Sequence, residues 1–151
     1  MEKLTKIISI FFLIPLFSAC TETLLDKELM TIKYGSECGW CAGQEYITIT
    51  SSKIKYERNI PCGDNKGMIE KNRDFNPGEK DSILNSFDYS LFETLEYTNC
   101  NVCADGCDEI IQITKNESMH EIRYSFSEEI EGMEDLQEKL AIIMNEMRDL
   151  P

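Results

Sequence analysis

The segment DEIIQITKNESMHEIRYSF, residues 108–126, decides the fold because it has the pattern of two β-strands joined by a turn. Apolar and polar side chains alternate through residues 119–126, so every second residue from His120 to Phe126 points to the same side of a sheet. Residues 108–114 form the preceding strand, and the polar stretch 115–118 connects the two. We therefore predict a β-hairpin in this part of the chain.

A second hairpin is predicted earlier in the chain. Residues 46–50 alternate between aromatic or threonine side chains and isoleucines, and residues 53–58 place Ile54 and Tyr56 on one face. Two serines between these runs allow the chain to turn back, and the sequence Asp-Asn-Lys-Gly at 64–67 predicts a further turn. An additional strand is predicted at residues 29–34.

Three helices are predicted from capping signals and apolar periodicity. Asn76 precedes a proline and an acid three residues later, which predicts a helix that runs to about Phe87. Ser90 begins a second capping-box pattern, which predicts a shorter helical turn through Leu95. The final helix is amphipathic, with apolar residues spaced three and four apart at Met133, Leu136, Leu140, Ile143 and Met147.

The order of these elements, strands followed by a helix and then strands followed by a helix, predicts the fold class. We expect an α+β fold in which an antiparallel sheet of two hairpins has helices packed on one face. Residues 29–151 have the length of a single cysteine-rich domain.

The first residues have the pattern of a secretory signal. Lys3 and Lys6 form a positive start, and an eleven-residue largely apolar run from Ile7 to Phe17 follows. A permanent membrane-spanning helix needs about 20 residues, so this run is too short to be one. The pattern predicts a signal peptide over residues 1–19, and an ordinary soluble secretory signal is the alternative to a lipoprotein signal.

The segment Phe17-Ser18-Ala19-Cys20 resembles the lipobox of bacterial lipoproteins, although leucine is usual at the position of Phe17. The resemblance implies cleavage before Cys20, lipid on that cysteine, and a lipidated tether over residues 20–28. It further implies that the chain is held in the cell envelope, with Thr21 favouring the outer membrane. The membrane face stays open.

The chain is strongly acidic, which limits its partners. Its formal net charge is −13. Removal of the signal takes away two bases and one acid, which makes the net charge −14. Such a surface repels phosphate backbones and anionic head groups, so nucleic acid is not an expected partner and membrane contact comes through the lipid on Cys20. A cationic protein would be attracted, although an acidic, solvated surface needs no partner to explain it.

Six cysteines remain once Cys20 is assigned to lipid, and an even number in an exported chain predicts disulfides. They are Cys38, Cys41, Cys62, Cys100, Cys103 and Cys107. Two alternatives compete with structural disulfides. The two CxxC pairs, at 38–41 and 100–103, could together bind zinc, and Cys38 with Cys41 could be a thioredoxin-like redox pair. No helix is predicted after Cys41, which argues against the redox role.

No catalytic constellation is found in the sequence, so we predict a protein that is not an enzyme and needs no cofactor or metal. His120 is the only histidine and is interpreted as a packed or surface residue of its strand. Trp40 is interpreted either as an exposed recognition residue or as the cover of a disulfide.

The CxxC loops at Cys38–Cys41 and Cys100–Cys103, each placed near a predicted strand, resemble those of small envelope lipoproteins of unknown function. Cys62 and Cys107 are additions to that pattern, which implies that they pair with each other. The remaining bridges are then Cys100 with Cys103 and Cys38 with Cys41. We expect a membrane-anchored binding or structural domain, with an inhibitor of a basic secreted enzyme or a thiol-disulfide protein as alternatives.

Overall fold

The computed structural model describes residues 30–151 and contains one antiparallel sheet of six strands. The strands are β1 at Met30–Cys38, β2 at Gly43–Ile49, β3 at Lys53–Ile60, β4 at Gly67–Asp74, β5 at Cys107–Lys115 and β6 at Ser118–Ser125. Their order across the sheet is β4-β3-β2-β1-β5-β6, so β1 lies inside the sheet and pairs with both β2 and β5. The predicted α+β class and antiparallel sheet are confirmed.

Both predicted hairpins are present, formed by β2 with β3 and by β5 with β6. The alternation of apolar and polar side chains decides which face of each hairpin packs on the core. Ile54 and Tyr56 on β3 and Ile122 and Tyr124 on β6 are accordingly all buried. Strand β1 joins the two hairpins into one sheet and extends to Cys38, four residues beyond the predicted end. The two hairpins are therefore parts of a single, wider sheet.

Strand β4 was not predicted from the sequence. It forms one edge of the sheet and pairs only with β3. Most of its residues are exposed, and Met68 and Ile69 are its only apolar side chains. An edge strand that is exposed on both faces needs no alternation of apolar and polar residues, so it leaves no period-2 signal.

The first two helices are shorter than predicted. Helix α1, Pro77–Leu84, begins as expected, since the Oδ1 atom of Asn76 accepts the Gly78 N–H at 2.9 Å. It ends at Leu84 instead of Phe87. Helix α2, Tyr89–Phe92, is capped by Asp88 and not by Ser90, because the Asp88 carboxylate accepts the N–H of Ser90 at 2.8 Å.

Helix α3, Glu134–Asp149, supplies much of the core and contacts β2, β3 and α1. The five predicted apolar positions of this helix and its start are buried, and so is Met144, which was not predicted. The same core cluster contains Phe75, Ile83, Phe92, Ile130 and alternating residues of five strands. Those strand residues are Ile32, Tyr34, Ile47, Ile49, Ile54, Tyr56, Ile111, Ile113, Ile122 and Tyr124.

None of the helices within residues 30–151 is both long enough and apolar enough to cross a membrane. The predicted signal peptide, Cys20 and the tether lie outside the described residues, and so does the predicted first strand residue at position 29.

Candidate functional site at the disulfide cap

Three disulfides lie at the same end of the sheet, where β1 ends and β5 begins. They join Cys38 to Cys107, Cys41 to Cys62, and Cys100 to Cys103. The prediction that these six cysteines form disulfides is in agreement with this arrangement. Cys38 and Cys107 are the adjoining strand residues, and the other four cysteines lie in three loops at this end, residues 39–42, 61–66 and 100–106. We call these three loops the disulfide cap.

The predicted pairing is right for one bridge and wrong for two. Cys100 and Cys103 are joined as expected, but Cys38 does not pair with Cys41, and Cys62 does not pair with Cys107. The reason is the register of the sheet, which sets Cys38 directly opposite Cys107 with their Cα atoms 4.1 Å apart. Facing positions on neighbouring antiparallel strands are close enough to be bridged, whereas the turn after Cys38 carries Cys41 towards the loop of Cys62.

This pairing gives no support to the zinc and redox alternatives. All six cysteines are joined in disulfides, so no thiolate of theirs is free to ligate a metal ion. Within residues 30–151 no group of three or more metal-ligating side chains is found. The thioredoxin-like alternative requires a bond between Cys38 and Cys41, and each of these cysteines is bonded elsewhere.

Trp40 is the most exposed large apolar side chain among the described residues, with 82% of its surface accessible. Its backbone has a φ angle of +53°, a conformation that few non-glycine residues adopt. The disulfides of Cys38 and Cys41 flank it on both sides and tie its loop to β5 and to the 61–66 loop. Of the two interpretations of Trp40, exposure supports the recognition residue.

The loop that carries Trp40 packs tightly against a 3₁₀ turn, Asn101–Ala104, of the disulfide cap. The Gly39 N–H donates to the carbonyl oxygen of Gly106 at 2.9 Å. A side chain at Gly39 would meet the Val102 carbonyl oxygen and the Asp105 Cα atom at 2.8 Å, so only glycine allows this approach. The position of Trp40 is therefore fixed by packing as well as by disulfides.

The Asp108 side chain holds the 3₁₀ turn in place through hydrogen bonds to the backbone of the turn. It is fully buried and accepts the N–H of Asn101 at 2.9 Å and the N–H of Val102 at 3.3 Å. The Arg123 guanidinium lies 3.9 Å away and compensates its charge. This role of Asp108 was not predicted from the sequence, although the start of an apolar strand, directly after a cysteine, is an unusual position for a charge.

A cleft of about 280 Å³ opens beside the Trp40 loop and is lined by side chains of β1, β2, β3 and the disulfide cap. Its lining residues include Glu37, Gln44, Asn59, Pro61 and Val102. Polar groups therefore meet apolar ones around this opening. Such a mixture is typical of surfaces that recognise other molecules.

Glu37 is ionised at the wall of this cleft. Burial opposes its charge, but hydrogen bonds from the Tyr46 hydroxyl and the Arg123 guanidinium outweigh the burial and lower the pKa of Glu37. The Arg123 Nη1 atom lies 2.7 Å from the carboxylate. The ammonium group of Lys33 covers the Tyr46 ring at 3.7 Å from its centre, so the phenol is held from two sides.

His120 lies far from the disulfide cap and has a packing role, as predicted. Its Nε2 atom is 2.9 Å from the carbonyl oxygen of Leu95. Its ring meets the ring of Phe92 edge-on, with centroids 5.1 Å apart. These contacts join β6 to the segment after α2.

Comparison with known protein families finds no family model that matches the chain, and a search of curated proteins finds no match either. The arrangement of residues at the disulfide cap is therefore the basis for the function proposed below.

Proposed function

We propose that this chain is an envelope lipoprotein, anchored through lipid on Cys20, whose domain is a non-catalytic module that binds a protein through the disulfide cap. The observation that carries the proposal is the exposure of Trp40 in a loop that two disulfides and a glycine contact hold rigid. Aromatic side chains dominate the energy of many interfaces, and a rigid loop loses little entropy when it binds.

The direction of β1 supports this proposal. Met30 is ten residues after Cys20 in the sequence, and the strand runs from Met30 to Cys38 before it enters the disulfide cap. At about 3.3 Å per residue, the two ends of β1 are about 26 Å apart. A chain anchored at Cys20 therefore enters the domain at the end of β1 that is opposite to the disulfide cap.

We further infer that the three helices share one face of the sheet. The core cluster contains helix residues such as Ile83, Phe92 and Leu140 together with strand residues that all belong to alternate positions. The opposite positions of the strands are mainly polar, for example Lys33, Lys55 and Glu57. The helices therefore cover most of the core face, which leaves the opposite face and the ends of the sheet more accessible to a partner.

The charge of the chain favours a cationic protein as the partner. The net charge of −14 after removal of the signal repels nucleic acid and anionic lipid and attracts basic proteins. An inhibitor of a basic secreted enzyme is therefore the second candidate function. It uses the same disulfide cap and differs only in that the partner loses activity when bound.

A crosslinking experiment tests the proposal in the full lipidated chain on its own membrane. A photoreactive phenylalanine analogue replaces Trp40 in one variant and Met119 in a matched control. Met119 is 61% exposed and lies at the other end of the sheet, where β6 begins. We expect a discrete protein adduct from position 40 alone, and its yield should fall as salt is raised.

Equal adducts from both positions, or none from position 40, would contradict a binding role of the disulfide cap. If an adduct forms, the purified partner decides between the two candidates. Loss of its enzymatic activity on binding would establish the inhibitor, and retention would leave a binding module.

A further inference from the structure

A second cleft, of about 190 Å³, lies between the sheet and the last turns of α3. It exists because short side chains meet there, with Ser36 on β1 and Ala141 on α3. Tyr34 and Ile32 lie two and four residues earlier on the same face of β1, and their larger side chains fill the space between the sheet and the core there. Glu45 and Glu109 flank Ser36 on the two neighbouring strands, so two carboxylates line the floor.

The charge of one of these carboxylates, that of Glu45, is already balanced by an arginine. Glu45 receives two hydrogen bonds from the Arg148 guanidinium, at 3.0 and 2.8 Å, and a third from the Tyr56 hydroxyl. Burial and this hydrogen bond raise the pKa of Tyr56 to about 12. The Arg148 guanidinium also donates to Asn145 at 2.9 Å. Glu45 and Arg148 together contribute no net charge to the cleft.

The second carboxylate, Glu109, has only neutral donors. The Tyr34 hydroxyl lies 3.2 Å from one oxygen and the Ser127 N–H lies 3.4 Å from the other. Within residues 30–151, no lysine or arginine forms an ion pair with Glu109. Burial raises its pKa, despite the two hydrogen bonds. Glu109 is thus a partly desolvated carboxylate that no cation within residues 30–151 balances.

Tyr124 places a second polar group beside Glu109. It lies directly opposite Glu109 in the pairing of β5 with β6, and its side chain is fully buried. Within residues 30–151 its hydroxyl oxygen makes no hydrogen bond of normal geometry, although the nearby Gln137 side chain acts to lower its pKa against the larger effect of burial. Tyr124 therefore donates no hydrogen bond that would balance the charge of Glu109.

We propose that this cleft receives a single lysine or arginine side chain from a protein partner, with Glu109 as the acceptor of its N–H groups. The Phe126 ring, 61% exposed at the rim, would cover the aliphatic part of that side chain. The cleft is smaller than the ~300 Å³ and more of typical small-molecule sites, and it far exceeds the ~10–15 Å³ that one water needs. Its size therefore suits one side chain.

This cleft is separate from the cleft beside Trp40, since the two clefts have no lining residue in common. The proposal therefore goes beyond the function of the disulfide cap and does not depend on it. A Trp40→Ala variant should leave this cleft unchanged, which allows the two proposals to fail independently.

The test uses the mature lipidated chain in detergent micelles and a Gly-Ser peptide with one central lysine. Chemical shifts of the Ser36 and Ser127 amides report binding at the cleft. Peptides in which arginine or the neutral acetyl-lysine replaces that lysine complete the series. We expect the lysine and arginine peptides to shift both amides at millimolar concentration and the acetyl-lysine peptide to shift neither.

Two variants locate the charge that is recognised. Glu109→Gln should weaken binding of the lysine peptide at least tenfold, whereas Glu131→Gln, which removes an equal charge from an exposed position, should change it less than twofold. Phe126→Ala should weaken binding by a smaller factor than Glu109→Gln. Equal effects of Glu109→Gln and Glu131→Gln, or binding of the acetyl-lysine peptide, would overturn the proposal, as would the absence of any shift.

Discussion

Cys38 and Cys107 face each other on strands β1 and β5, with Cα atoms 4.1 Å apart. Their disulfide joins these two central strands at the end of the sheet where the disulfide cap lies. This bond separates the cysteines of the first CxxC motif, since Cys41 is joined to Cys62. Trp40 lies between two bridges that lead to different parts of the fold. Its position can therefore be tested through the disulfides themselves.

Chymotrypsin cleaves after aromatic residues, and cleavage after Trp40 separates Cys38 from Cys41. Under non-reducing conditions we expect one linked fragment that contains Cys38 and Cys107 and another that contains Cys41 and Cys62. Mass spectrometry before and after reduction identifies both. A fragment in which Cys38 and Cys41 remain linked across the cut would contradict the pairing found here.

The two types of bridge should differ in their contribution to stability. A bridge between residues 69 positions apart restricts the unfolded chain far more than one between residues three positions apart. We expect a loss of about 4 kcal/mol for Cys38→Ser with Cys107→Ser and about 2 kcal/mol for Cys100→Ser with Cys103→Ser. Urea unfolding measures both free energies of unfolding, and equal losses would contradict the expected dependence of stability on loop length.

Trp40 is the only tryptophan in the chain, so its fluorescence reports on the disulfide cap alone. Because 82% of the side chain is accessible, acrylamide should quench the folded protein nearly as well as the protein in urea. We expect quenching constants within about a factor of two of each other. Strong protection in the folded state would show that Trp40 is covered and would remove the main support for its role in binding.

Asp108 should be essential for the order of the 3₁₀ turn. An asparagine can offer one acceptor oxygen but also turns an NH₂ group towards the backbone donors of Asn101 and Val102. We expect Asp108→Asn to cost about 1–3 kcal/mol and to speed amide exchange at these two residues. Asp105→Asn is the matched control, because Asp105 is exposed in the same turn. Similar exchange rates in both variants would contradict this role.

Glu109 should lower stability at neutral pH, since burial raises its pKa above the usual 4.5. The folded state holds the proton more tightly than the unfolded state, so stability falls as the pH rises from about 4.5 through the raised pKa. Glu109→Gln should therefore raise the melting temperature at pH 7 and have less effect at pH 4. Melting curves at both pH values test this, and destabilisation at pH 7 would show that the charge supports the fold.

The sequence determined the elements whose signals are local. Alternation identified the strands around Ile54 and Ile122, and three-and-four spacing identified α3, because burial of one face imposes a period on the chain. An even number of cysteines also predicted disulfides. Strand β4 has no such period, since an exposed edge buries neither face. Likewise the cleft beside α3 depends on small residues such as Ser36, and a small residue leaves a cleft only where the fold places no larger side chain beside it.

Only the tertiary structure decided which cysteines pair and which charges are left without a partner. Cys38 meets Cys107 because β1 inserts between the two hairpins, and that placement depends on contacts between residues far apart in the chain. Glu45 and Glu109 look alike in the sequence, yet Arg148 reaches only Glu45. Local propensity cannot encode such differences, because the free energy of a buried charge depends on which groups the fold brings around it.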